Sequence, residues 1–500
     1  MNATTVAAAD AEIPLILTID IGSSSARAIL YDRLARVVNG VVAQERYEMR
    51  ATADGTVEDD PDTAIERIAR CIDETLTLAG PLAARIEAVA VDTLVSNCMA
   101  IDAEGRPLTG LMTYADTRNA ADAESLRGTL DEPAVHERTG CLLRTSYWPA
   151  RLAWVRRIQP DVWRAAARWI TLGEYLELRL FGRCRASYSV ASWSGLLDRR
   201  QLAWDASLLN HLKVSPDHLS SLVDVDEPLR GLVTRYASRW PTLRDVPWYP
   251  AVGDGAAANV GSGCGDACRV ALTLGTTGAL RVVQTEVPQV PQGLWCYRVD
   301  REHSLVGGAT SEGGNVYAWL RDTLRLGDPS EVEAALAAYP ADGHGLTVLP
   351  FVAGERSPDW AGNVGATLHG LTVATKPIAI LRASLEAVAY RFAVIEQRLA
   401  GITPPTHRLI ASGKAFLASA AWAQIFADVL GRPVVVSAET EATSRGVALL
   451  ALRSLGALSS FGAIPSADAT VYEPNMEQYA IYQTAIERQR RLYDRLIRQL

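Results

Sequence analysis

Apolar and polar positions divide the chain into strands and helices whose order returns after half its length. Leu15, Ile16, Leu17 and Ile19 predict a buried strand that breaks at Asp20-Ile21-Gly22-Ser23-Ser24-Ser25, and residues 28–31 predict its antiparallel return. Residues 37–47 read as a third strand. Asp60 and Pro61 then start a helix that carries Ile65, Ile68, Ile72 and Leu76 at helical spacing. Residues 86–91 form a short apolar strand ending at Asp92-Thr93, followed by strand, turn and strand over 99–114. Alternation of this kind predicts an α/β protein. From about 130 to 215 the pattern is helical and rich in tryptophan (Trp148, Trp154, Trp163, Trp169, Trp193, Trp204), positions that read as core with some free to line a sugar site.

The opening pattern recurs at 269–283. Val270, Leu272 and Leu274 lead into Gly275-Thr276-Thr277-Gly278, and an apolar strand resumes at Ala279. Aligned on the glycines, Gly22-Ser23-Ser24 overlays Gly275-Thr276-Thr277. A repeat half a chain away reads as duplication of a whole domain. Each turn offers hydroxyls and open backbone N–H groups, which suit phosphate oxygens. The first adds a carboxylate, Asp20, a hard oxygen ligand suited to Mg²⁺, where the second has Thr273.

Between the copies, 241–250 is a proline-bounded connection, and a domain boundary falls close to Gly253. Gly253-Asp254-Gly255 opens a run of small residues, 256–263, expected to be a helix packed tightly against another backbone. Beyond the second turn, Ser311-Glu312-Gly313-Gly314 enters a helix over 316–324. A long helix is predicted over 378–399 and a strand over 408–411. Helices follow over 420–430, 442–455 and 475–500. Asp254 reads either as a helix cap or, set ahead of the second phosphate turn, as the acceptor of a proton from an attacking hydroxyl.

Five hundred residues, 48% hydrophobic and 21% charged, suffice for two large domains or three average ones. A net charge of −8 without basic runs argues against a nucleic-acid partner. Seven scattered cysteines fit reduced thiols in the cytoplasm; Cys264 and Cys268 lack the partners of a zinc set. Residues 1–13 have no signal-peptide pattern and read as a frayed tail, and no apolar run reaches membrane-spanning length.

The order and spacing of these loops resemble the FGGY carbohydrate kinases of the actin-like ATPase superfamily. The resemblance implies an α/β protein of two ribonuclease-H-like domains with a nucleotide and substrate cleft between them. It divides the chain into a tail (1–13), an N-terminal sugar-binding domain (14–252), a C-terminal ATP-binding domain (253–470) and a final helix packed on the second domain (471–500). It implies ATP and Mg²⁺ as cofactors, with Asp20 holding the metal. Gly22, Ser23 and Ser24, and likewise Gly275, Thr276 and Thr277, would cradle phosphate. Asp254 would be the general base. Gly314, Gly413 and 422–431 would lie against the adenosine, with Lys414 beside them.

On the substrate side the resemblance points to Tyr114, Asp116 and Arg118, with Ser96 and Asn97 standing where relatives usually place a histidine. Gly354-Glu355-Arg356-Ser357-Pro358 with Trp360, Thr145-Ser146-Tyr147-Trp148-Pro149-Ala150, and Arg445-Gly446 look most like the gluconate kinase branch. Arg118 is then a candidate to pair with the gluconate carboxylate. Lys414 and Ala418 depart from the family pattern, which usually has a second glycine and a small polar residue there. A pentulose or polyol kinase like xylulokinase, a non-catalytic sugar sensor and a polymerising or chaperone-type ATPase stay open as alternatives. So does a homodimer. A small sugar or sugar acid is the expected partner, without nucleic acid or membrane.

Overall fold

The computed structural model describes residues 4–462, 464 and 469–498. Two sheets carry the chain. The first contains β1 (Thr5–Val6), β2 (Leu15–Ile21), β3 (Ser25–Tyr31), β4 (Val37–Arg46), β5 (Ile86–Thr93) and β6 (Val252–Gly253), in the order β1-β4-β3-β2-β5-β6. The second contains β7 (Arg269–Leu274), β8 (Gly278–Gln284), β9 (Trp295–Arg298), β10 (Ser304–Thr310), β11 (Arg408–Ser412), β12 (Val434–Ser437) and β13 (Ala469–Tyr472). Its order is β9-β10-β8-β7-β11-β12-β13. The five strands β4-β3-β2-β5-β6 and β10-β8-β7-β11-β12 share one topology: an antiparallel meander of three, then two strands parallel to its first. The half-chain repeat in the sequence is thus a repeat of the fold.

Every residue of β2 is buried, which explains its unbroken apolar run. One face packs with helix α1 (Pro61–Ala79), whose N-terminus forms as expected: Thr63 N–H donates to the Asp60 carboxylate at 2.7 Å, with Pro61 at the first position. The other face meets two helices that cross between the sheets, α2 (Asp254–Gly261) and α7 (Ala442–Ser454). Each follows the last parallel strand of its own sheet. The small residues expected to permit close backbone packing do so here, since a Cβ on Gly261 would come within 1.8 Å of the Ala442 carbonyl oxygen.

In the second half, α3 (Gly314–Thr323) follows β10. The long helix α4 (Pro377–Leu399) takes the place of α1, then come α5 (Lys414–Ala418) and α6 (Ala420–Leu430) after β11. The final helix α8 (Met476–Tyr493) packs on α6 and ends in a π-helical turn, Asp494–Arg498. The last two residues of its expected span lie outside the described residues.

One expectation fails at the N-terminus. Within the segment read as a frayed tail, Thr5 and Val6 pair in parallel with Val37 and Val38, and Val6 is buried. Two residues are too short a run to show strand periodicity; the open edge of β4 orders them. The tryptophans Trp148, Trp154 and Trp169 are core, as read, in a helical lobe spanning 98–219.

Candidate active site

In each hydroxyl-rich turn the leading glycine N–H closes back onto the turn, one residue earlier in the second than in the first. In the first, Gly22 N–H donates to the Ser25 carbonyl at 3.0 Å; in the second, Gly275 N–H donates to the Thr277 carbonyl at 3.0 Å. Ser23, Ser24, Thr276 and Thr277 are exposed, while Ser25 and Gly278 are buried as the return strands begin. The second turn is backed by the start of α3, where Gly314 N–H donates to the Gly275 carbonyl at 2.7 Å and Asn315 N–H to the Thr276 carbonyl at 3.1 Å. Gly413 closes the other side. At φ +108 it adopts a conformation that favours glycine, and a Cβ there would lie 2.4 Å from the Leu274 carbonyl oxygen. Gly275, Gly314 and Gly413 are therefore brought together by the backbone. Lys414 and Ala418 are both exposed on α5.

Between the turns lies a floor of charged groups. Asp20, near the end of β2, accepts a hydrogen bond from Ser444 Oγ in the first turn of α7 (3.4 Å) and stands 3.7 Å from Arg27, which pairs in turn with Glu441. Asp254 is the first residue of α2, partly exposed, with Gly255 N–H donating to its Oδ1 at 2.7 Å. Burial pushes the Asp254 carboxyl up to about 6; that N–H and Arg281 act the other way, and Asp20 adds to the rise. A carboxylate tuned near neutrality is suited to accept a hydroxyl proton.

Arg281, on β8, reaches this floor from the second sheet. It is buried, and its guanidinium donates to Thr273 Oγ1 at 2.8 Å while another of its nitrogens lies against Gly255. Burial lowers its pKa. Thr273, the counterpart of Asp20, is thus linked through Arg281 to Asp254, so both turns border one floor.

Asp92 completes it. This residue sits opposite Asp20 on the parallel strand β5 and opposite Val252 on β6. It is 0% exposed, and neither carboxylate oxygen has a hydrogen-bond partner among the described residues. Burial, and then Asp20 beside it, drive its carboxyl well above the usual carboxylate range. A hard divalent cation fits this donor set: Asp20 at the mouth, hydroxyls around it and an orphaned carboxylate beneath.

Another group of acids and a histidine, Asp342, His344 and Glu386, lies away from the floor. There Arg382, Arg488, Tyr390 and Tyr482 already satisfy the carboxylates. Leu346 N–H donates to His344 Nδ1, so Nε2 carries the proton that faces Glu386. We read it as a structural network.

Comparison with known proteins identifies the family of both halves of the chain. The N-terminal domain of the FGGY family of carbohydrate kinases matches residues 15–261, and its C-terminal domain matches residues 270–455. The chain belongs to the FGGY family of carbohydrate kinases. It is 29% identical to a gluconokinase of Bacillus subtilis over 91% of each chain. Its fold is similar to a ligand-bound xylulose kinase (TM-score 0.90) and a gluconate kinase (TM-score 0.89), both from Lactobacillus acidophilus. Each is 24% identical, over 96% of this chain and 98% of the other.

In this kinase the residues expected on the substrate side divide into two groups. Tyr114 is 42% exposed and Ser96 lies just under the surface, its Oγ donating to the Trp193 carbonyl at 2.7 Å. Asn97 is enclosed: its Nδ2 donates to the Leu94 carbonyl and its Oδ1 accepts from Leu172 N–H, so it holds the fold and presents nothing to a polyol. Asp116 and Arg118 hold one another. The Arg118 guanidinium chelates the Asp116 carboxylate at 2.6–3.1 Å, reaches Glu58 at 3.1 Å and stacks over Trp154.

Trp193 does reach the floor. Its ring stacks on Tyr297 (centroids 3.6 Å apart), its indole N–H is buried without a partner among the described residues, and it packs on Gly253 and Gly255. Asp92, Arg281 and Trp193 were not singled out from the sequence as floor residues. The available signals were an acid ending an apolar strand and a basic residue inside another, at 281.

Proposed function

We propose that this carbohydrate kinase uses ATP and Mg²⁺ to phosphorylate a sugar acid, gluconate first among candidates, on its primary hydroxyl to give 6-phosphogluconate. The observation that carries the reading is Asp254, a carboxylate raised to about 6 at the start of α2, on a floor shared by two hydroxyl-rich turns. The likeness to a gluconokinase over nearly the whole chain supports the choice of substrate.

In this reading the N-terminal domain (14–252) receives the sugar and the C-terminal domain (253–470) the nucleotide, its adenosine against Gly314, Gly413 and Lys414. Ser23, Ser24, Thr276 and Thr277, with their turn N–H groups, donate to the phosphates. Asp20 would hold Mg²⁺, which would neutralise phosphate charge there. Asp254 takes the proton of the substrate hydroxyl as it attacks, and Arg281 offsets negative charge beside it. Closure of the domains about α2 and α7 would exclude water as a competing acceptor. Such a kinase would work in the cytoplasm, where ATP is supplied; a homodimer is the assembly we would test first.

A carboxylate substrate needs a cation. Arg118, the first candidate, is held by Asp116 and Glu58 through Nε and Nη2. Arg356 is half-buried and forms no hydrogen bond or ion pair through its guanidinium among the described residues. Its loop is tied to β10 by Ser357 N–H donating to the Ala309 carbonyl at 3.0 Å, three residues before Glu312. We assign the carboxylate to Arg356. A pentulose is the second reading, favoured by the commitment of Arg118 to Asp116. ADP release measured across gluconate, xylulose, other polyols and glycerol decides between them: gluconate should give the highest kcat/KM, and preference for a neutral pentulose would reject the sugar-acid assignment.

A further inference from the structure

We infer that Asp92 is a second carboxylate ligand of the divalent cation, so that Asp20 and Asp92 together form a cation seat that exists before the nucleotide arrives. The inference rests on the Mg²⁺ requirement proposed above and adds to it a residue and a binding event.

The geometry comes from the sheet. β2 and β5 run parallel in register, with Asp20 opposite Asp92. Directly opposed residues on neighbouring strands project from the same face. Val252 on β6 occupies the next position across the sheet, and Asp254 lies two residues beyond it. Three acids therefore form a diagonal on the face covered by α2 and α7. Two helices begin over this diagonal, one at Asp254 and one with Ser444 in its first turn, and helix N-termini favour negative charge.

What singles out Asp92 is a lack of donors combined with a second acid beside it. Asp32 is bonded to Arg36, Asp205 to Arg138 and Glu386 to Arg382; Glu312 also has both oxygens unbonded among the described residues, but the foremost charge acting on it is the Arg391 guanidinium. Asp92 is fully enclosed, no N–H or hydroxyl donor reaches either oxygen among the described residues, and the foremost charge acting on it is the Asp20 carboxylate, close enough to share a proton with it. Leaving a buried acceptor unpaired costs free energy. Arg27 is drawn to Asp20 and Glu441, not to Asp92. A small oxygen-seeking cation between Asp20 and Asp92 would satisfy both and leave its remaining positions for water and phosphate. One acid alone would mostly hold the metal that nucleotide brings; two adjacent acids can hold it unaided.

The test is Mn²⁺ binding to the nucleotide-free, full-length enzyme, read from the electron paramagnetic resonance of free Mn²⁺, for wild type, Asp92→Asn and Asp20→Asn. Asparagine has the shape of the acid, and melting temperature in EDTA checks that each variant is folded. Wild type should bind one Mn²⁺ and melt higher with it. Asp92→Asn should weaken that binding about tenfold or more and lose the added melting temperature, while melting in EDTA no lower than wild type. Asp92→Asn binding Mn²⁺ as tightly as wild type overturns the inference and leaves the Mg²⁺ requirement standing. Wild type binding Mn²⁺ only with an ATP analogue present also overturns it. Absence of binding even with the analogue rejects both.

Discussion

Gly446 in α7 and Ala257 in α2 touch backbone to backbone: a Cβ added to Gly446 would lie 1.8 Å from the Ala257 carbonyl oxygen. With the matching contact of Gly261 on Ala442, this fixes how closely the two helices between the sheets cross. Gly446→Ala should therefore destabilise the protein by about 3 kcal/mol or more, because the obstacle is backbone and cannot rotate away. Gly128→Ala is the control. That helical position has nothing within 4 Å of a new Cβ, and the change should raise stability by roughly 0.5–1 kcal/mol. Calorimetric melting of both variants reads the difference; a Gly446→Ala protein that melts like wild type would contradict the packing.

The tuning of Asp254 predicts a pH profile. The base must be ionised to accept a proton, and burial places its titration at about 6. kcat/KM should rise through that pH and level off above about 7. A limb centred below pH 5 in the nucleotide-saturated enzyme would assign the base elsewhere.

Glu312 predicts a different dependence, in stability. Its two oxygens are buried without partners among the described residues, and burial pushes its carboxyl from 4.5 up to about 8. The folded state therefore keeps a proton that the unfolded chain releases, so stability is full below about 4.5 and is lost as pH rises through about 8. The loss is on the order of 3–5 kcal/mol. Glu312→Gln should flatten this slope and stabilise the protein at pH 9 relative to wild type in denaturant titrations. An unchanged slope would mean that other groups carry it.

Arg118 and Arg356 should separate in their effects. Arg118→Ala removes the partner of a buried Asp116 and should lower stability with little change in KM for gluconate once folded. Arg356→Ala should raise KM for gluconate about tenfold or more and leave KM for xylulose unchanged, since only the acid has a carboxylate to lose. Steady-state kinetics on both substrates checks this, and equal effects on both would remove Arg356 from carboxylate recognition.

Much of the architecture was legible because it follows from short-range physics. The strand–turn–strand pattern at Asp20–Ser25 and its copy at Thr273–Gly278 announce themselves through apolar alternation and glycine, and their equal spacing announces the duplication. The helix cap at Asp60 and the close-packed run after Asp254 rest on local chemistry too. The functional floor was only half legible. Asp92 looks like any strand-ending acid until β2 and β5 are placed side by side, and Arg281 acquires meaning only when β8 points it across to Asp254. Asn97 and Arg118 show the opposite case. Their types suit a sugar, but partners distant in sequence, Leu172 for one and Glu58 for the other, have already engaged them. The strand at Thr5–Val6 was hidden for the same reason, since its order comes from the edge it joins.

The measurement that bears most directly on the whole account is gluconate-dependent ADP release by wild type and Asp254→Asn, side by side at pH 7.5 with saturating ATP and Mg²⁺. The account predicts turnover by wild type with phosphate appearing on the primary hydroxyl, and a loss of about 10²–10⁴-fold in kcat for the variant with nucleotide binding retained. Turnover by Asp254→Asn within a few-fold of wild type would contradict it.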